Sequence, residues 1–216
     1  MDSFRLCVAL GPLAIYLLLL GAINLSRRPF LVSGGRDLAA LGVAVSGMML
    51  VGPIELLLPE DAVNLYRAYV WLLAIVMYSL CLSLAVLVSR PRLTIYNMTV
   101  DELRPVLAGA IDVLDPDARW AGSSLSLPRL HVELHMEPSP AMRNVSLVAS
   151  GEQQSFAGWR HLELALAARL KPSEAQPNVW GLALTLTGLV MVVAMGWQLA
   201  VHPQEITQGF RDMLRL

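Results

Sequence analysis

Four long apolar runs order this chain, and between the third and the fourth the pattern changes from unbroken hydrophobic residues to alternating and three-four-spaced ones. Leu6 to Leu25 carries no charge over about 20 residues, the length a helix needs to cross about 30 Å of hydrocarbon. Its arginines, Arg27 and Arg28, follow the run instead of preceding it, and no small-residue cleavage site comes after them. That order predicts a retained first span and not a cleaved signal peptide. The second run, Leu38 to Leu58, contains Gly42, Ser46, Gly47 and Gly52, small residues that let helix backbones approach closely. Pro53 is expected to bend it near its end. The third run, from Ala68, is entered through Tyr66, Arg67, Tyr69 and Trp71 and breaks at Ser89-Arg90-Pro91-Arg92. The fourth, Val179 to Val201, has Trp180 at one end and Trp197 near the other, with Gly181 and Gly188 a heptad apart.

The intervening polar stretch has the patterning of a small folded domain. Leu93 to Asn97 reads as a strand. Thr99 and Glu102 form a Thr-x-x-Glu capping box, so a helix is predicted to begin there. Leu103, Val106, Leu107, Ala110, Ile111 and Leu114 give that helix one apolar face, and Asp115-Pro116-Asp117 ends it. Trp120 to Leu127 is ambiguous, with Gly122-Ser123-Ser124 suggesting a turn between short strands. Val132, Leu134 and Met136 alternate with His131, Glu133, His135 and Glu137, the period of a half-buried strand. Pro138 to Pro140 is expected to turn the chain, Asn144 to Ser150 to supply a further strand, and Ser155 to open a helix burying Phe156, Trp159, Leu162, Leu166 and Leu170.

The expected organisation is therefore a bundle of four transmembrane helices with a small α+β domain, of two-layer ferredoxin-like type, inserted between helices 3 and 4. Residues 1–89 hold the first three spans, 90–178 the inserted domain and 179–202 the fourth span. Residues 203–216 are expected to form an amphipathic interfacial tail, with Ile206, Phe210, Met213 and Leu214 at helical spacing among polar residues. Gly34-Gly35, between the first two spans, reads as a turn.

Composition supports the membrane class: 56% of the residues are hydrophobic and only 15% charged, against about a quarter charged in ordinary globular domains. A formal net charge of -1 removes the electrostatic case for nucleic acid. The two cysteines, Cys7 and Cys81, fall inside apolar runs and give neither a disulfide framework nor ligand spacing. The flanks of the runs orient the chain. Arg27, Arg28, Arg36, Arg90, Arg92, Arg169 and Lys171 lie on one side, against Arg5, Arg67, Arg211 and Arg215 on the other. By the positive-inside rule both termini are expected outside and the 90–178 domain in the cytoplasm of an inner, cell-membrane protein. Arg90 and Arg92 mark the membrane junction.

Candidate chemistry is sparse. Glu55 is the one acidic group at membrane depth, where an ionisable residue is a functional candidate. The plainer reading puts it at the interface, one turn from Pro59-Glu60-Asp61. His131, Glu133 and His135, with Glu137, lie along one strand face about 6.5 to 7 Å apart. They are the metal candidates if a neighbouring strand completes the set, and otherwise an ordinary solvated face. Three glycosylation patterns, at Asn24, Asn97 and Asn144, are discounted from their positions. No nucleotide-binding, hydrolase or metalloprotease motif occurs, and neither cofactor nor catalytic residue is predicted. The expectation is a non-catalytic interaction, assembly or accessory subunit of a larger membrane complex, or a homo-oligomer, in contact with the lipid bilayer. A small transporter or channel using Glu55 and a membrane-anchored ligand or metal sensor are the alternatives.

Overall fold

The computed structural model describes residues 3–54, 68–139, 142–152, 154–201 and 209. The chain forms two compact units, one of Met1–Leu20, Leu38–Leu87 and Ala183–Leu216, the other of Gly21–Asp37 and Val88–Leu182.

The first unit is helical. It takes in most of α1 (Ser3–Leu25), α2 (Gly34–Met49), α3 (Ala68–Val88) and α6 (Trp180–Val201). All four are long and apolar enough to cross a membrane, which is consistent with a multi-pass membrane protein. Helix is the form such sequences take in an apolar medium, because it satisfies every backbone group within the segment. α1 is packed by small residues on both neighbours. A side chain at Gly47 of α2 would run into the Val8 carbonyl, and one at Gly188 of α6 would meet Leu18 and the Ala14 carbonyl. Gly42 in turn gives way to Leu82 of α3, and the Tyr78 hydroxyl donates to the Gly42 carbonyl at 2.6 Å. Away from these seams the helices present large apolar side chains outward, such as Leu72, Leu80, Leu87, Val190 and Val193. Hydroxyls within these helices bond to their own backbones. Ser46 donates to Val43, Ser79 to Ile75 and Thr187 to Ala183.

α2 passes at Leu50–Ile54 into a π-helical turn that contains Pro53. Proline lacks the N–H and crowds the carbonyl four residues back, so the ladder widens there. Glu55, the last residues of the second run and, apart from residue 209, the expected amphipathic tail lie outside the described residues.

The second unit is built on a six-stranded antiparallel sheet in the order β1-β2-β6-β5-β4-β3. Its strands are β1 (Phe30–Ser33), β2 (Arg92–Tyr96), β3 (Arg119–Ala121), β4 (Ser124–Leu127), β5 (Val132–Ser139) and β6 (Asn144–Ala149). Two helices, α4 (Val100–Leu114) and α5 (Phe156–Leu170), supply the second layer. The alternation along β5 sorts the faces. Val132, Leu134 and Met136 enter the core with Leu93 and Ile95 of β2 and Val145 and Leu147 of β6. Leu103, Leu107 and Ile111 of α4 and Trp159, Leu162, Leu166 and Leu170 of α5 cover them. The capping box forms as expected, with the Thr99 N–H donating to Glu102 and the Glu102 N–H to Thr99. A two-residue loop at Gly122-Ser123 joins β3 to β4, with Gly122 at the positive φ of 65° that such hairpins require.

The structure differs from the sequence expectations in five places. The sheet is not made from 90–178 alone. β1 comes from between the first two long helices and pairs with β2, Leu31 opposite Ile95 and Ser33 opposite Leu93. Four residues are too few to display an alternation, so nothing in the pattern announces this strand. Within 90–178 the elements follow the expected order of strand, helix, strands and helix, but β3 to β6 form a meander, which is not the β-α-β-β-α-β order of the ferredoxin-like type. Gly34-Gly35 opens α2 directly, without a turn. Pro138 continues β5, paired opposite Val145. Phe156, expected in the core, is 75% exposed, because it sits at the first position of α5 while Gly158 and Trp159 turn inward.

Candidate functional site

Three polar groupings in the sheet unit could carry function. The first centres on Arg92, at the start of β2. Its guanidinium reaches Asp37 at 3.5 Å, and the Tyr96 hydroxyl, two pleats along the same strand face, donates to the other Asp37 oxygen at 2.9 Å. A side chain at Gly34 would collide with Arg92, so the first turn of α2 is pressed against β2. Arg92 is thus a structural tether between two segments of the unit. Arg90 is exposed and meets no carboxylate among the described residues.

The second grouping is a set of three buried asparagines. Asn97 has a left-handed backbone, φ 61°, and a fully buried side chain whose amide donates to the carbonyls of Ile23 and Ser26. Ile23 lies in the last turn of α1 and Ser26 just beyond it, where helix carbonyls run short of donors; the Ile23 carbonyl also accepts from the Ser26 N–H at 3.1 Å. Beside them the Asn178 N–H donates to the Asn24 carbonyl, and the Ala175 N–H to the Arg27 carbonyl, both at 2.8 Å. The Asn178 side chain in turn accepts from the Trp180 N–H at the start of α6. The C-terminal end of α1 and the N-terminal end of α6 are in this way stitched to the loop after β2.

The third grouping is the sheet face turned away from α4 and α5. His135 accompanies Glu133 and Glu137 there, but its Nδ1 is engaged by the hydroxyls of Ser124, at 3.0 Å, and Ser123, at 3.3 Å. His131 is not on the strand. It caps the short 3-10 turn Pro128–Leu130 in a left-handed conformation, φ 50°. That kink separates it from the face where Glu133 and His135 lie, and the three are not brought together. Among the described residues no group of three or more His, Cys, Asp or Glu side chains is placed to hold a metal ion.

One carboxylate outside the expected set is fully enlisted by the backbone. Asp115 is 1% exposed and accepts from the N–H groups of Asp117 at 3.0 Å and Arg129 at 2.8 Å, which locks the exit of α4 to the 3-10 turn. Glu102 is a titratable group whose surroundings move it from its ordinary value. Burial pushes its carboxyl upward, but hydrogen bonds from Thr99 and the Arg143 guanidinium at 3.0 Å outweigh it and hold the carboxyl below its ordinary value.

Sequence reasoning marked Arg92 and missed Asp37, Tyr96, Asn97 and Asp115. The available signal was weak. Asn97 stands between a strand and a capping box, where asparagine often takes the left-handed conformation, and Asp115 precedes Pro116. Its place in a glycosylation pattern is no guide, since the Asn97 side chain is buried and already bonded. These arrangements position backbone segments; none sets a nucleophile beside a base with an orienting third group.

The fold and these groupings define a class: a chain with four membrane-length apolar helices and a six-stranded antiparallel α+β unit. No protein-family model matches the chain, and neither does any curated protein or solved structure.

Proposed function

We propose that this chain is a non-catalytic integral membrane protein that serves as an interaction, assembly or accessory subunit of a larger membrane complex, with its α+β domain as the docking module. The observation that carries this reading is the open edge of the sheet. β3 pairs with β4 on one side only, all three of its residues are exposed, and its Trp120 ring lies under the Arg104 guanidinium at 6.0 Å. An unpaired strand edge is a template for a strand from another chain, with backbone bonds giving affinity and an aromatic anchor giving specificity.

In this reading the domain faces the cytoplasm and both termini lie outside. Reporter fusions at residues 60 and 140 test the orientation, and a cytoplasmic signal at 60 would reverse it. Docking is tested by placing a photo-crosslinking residue at Trp120 in the full chain, with Asp101 as the control position, followed by gentle extraction. A discrete crosslinked protein from position 120 and none from 101 is expected. Extraction as a lone chain, uncrosslinked from both positions, would defeat the proposal.

A further inference from the structure

Resting on the membrane-spanning part of the proposed function, we infer that the paired segments 24–28 and 175–180 form a binding site for one anionic phospholipid headgroup. The hydrogen bonds from Asn178 to Asn24 and from Ala175 to Arg27 lay these segments side by side. The paired segments carry two kinds of exposed side chain. Arg27 and Arg28, directly after the end of α1, are exposed and meet no carboxylate among the described residues. Leu25, Val179 and Trp180, at the ends of α1 and α6, are 38%, 81% and 58% exposed. Arg36 pairs with Glu163, Arg92 with Asp37 and Arg143 with Glu102. Arg90, after α3, is exposed without a carboxylate as well, but it stands singly, whereas Arg27 and Arg28 are an adjacent pair of uncompensated cations beside segments that also carry apolar and aromatic side chains. A phosphodiester accepts hydrogen bonds from guanidinium forks, while an indole settles at the headgroup level beside the acyl chains. One phospholipid satisfies both halves of the patch; a soluble phosphate would satisfy only the cationic half.

The test uses the full chain in phosphatidylcholine vesicles containing phosphatidylglycerol, with one lipid or the other carrying brominated acyl chains that quench tryptophan. The Trp180 signal is the difference between the wild type and Trp180→Phe. With each interfacial cation contributing a several-fold gain in affinity for anionic lipid, the preference for phosphatidylglycerol should be on the order of tenfold. The double variant Arg27→Gln, Arg28→Gln should bring it close to unity. Neither side chain has a partner to lose, so the variant keeps the fold. Equal quenching of Trp180 by both lipids in the wild type, or an unchanged preference in the double variant, overturns the inference. So does a preference abolished by inorganic phosphate at constant ionic strength, since the site would then read free phosphate. Trp71 and Trp197 provide the separate check on the reading beneath it: if neither brominated lipid quenches them, the chain does not span the bilayer.

Discussion

Asn97 offers the sharpest test of how the sheet unit holds its helix ends. Replacing it by alanine removes two hydrogen bonds to the Ile23 and Ser26 carbonyls, each with a net contribution of about 0.5–1.5 kcal/mol. It also puts a Cβ-bearing residue without local polar compensation at φ 61°, which costs about 1 kcal/mol more. Against this, Asn97 Oδ1 is buried without a partner, so its removal returns part of the loss. The balance for Asn97→Ala is a destabilisation of about 2–3 kcal/mol. Glycine tolerates the left-handed backbone, so Asn97→Gly should lose only about 1–2 kcal/mol. Aspartate keeps the shape but turns a donor into an acceptor facing two carbonyls, so Asn97→Asp should be the worst, at about 3 kcal/mol or more. Urea unfolding of the full chain in detergent, followed by near-UV circular dichroism, gives the order Gly, Ala, Asp from mildest to most severe. An Asn97→Asp variant no less stable than Asn97→Gly would refute the capping role of the amide.

Other outcomes follow from the same geometry. Because the Glu102 carboxyl is held below its ordinary value in the folded chain, its contribution is complete above the unfolded-state value and fades as pH falls through the lowered folded one. Glu102→Gln should therefore flatten the acid limb of a stability–pH curve and leave its alkaline limb unchanged, by less than about 1 kcal/mol since the pair is partly solvated. Gly158→Ala would drive a methyl into the Leu130 carbonyl and Val132, and a loss of about 1–3 kcal/mol is expected in thermal melts of the domain signal. Trp159→Ala should cost about 3–5 kcal/mol, since the ring is buried and its Nε1 donates to Gln154. Its neighbour Phe156→Ser should stay within about 0.5 kcal/mol in the same assay, and a large loss there would contradict its exposure.

The sequence by itself determined whatever depends on local periodicity or on neighbours within a few residues. Four apolar runs of about 20 residues can form little other than membrane-length helices. The Thr99 capping box, the Gly122 hairpin and the alternation of Val132, Leu134 and Met136 need only a handful of residues to be read. Periodicity fails where an element is short or where partners are remote in the chain. β1 has four residues and becomes a strand only because β2 offers it a free edge, about sixty residues away. Phe156 has the spacing of a core residue, but one position at the start of a helix is rotated outward by the way α5 seats Gly158 against the 3-10 turn. The metal candidates shared a sequence pattern until the left-handed turn at His131 took it off the strand and two serines engaged His135. Asn97, finally, reads from sequence as the end of a strand, in a glycosylation pattern discounted from its position. Tertiary structure gave it the carbonyls of a helix seventy residues earlier, because buried polar groups must find partners wherever the fold brings them.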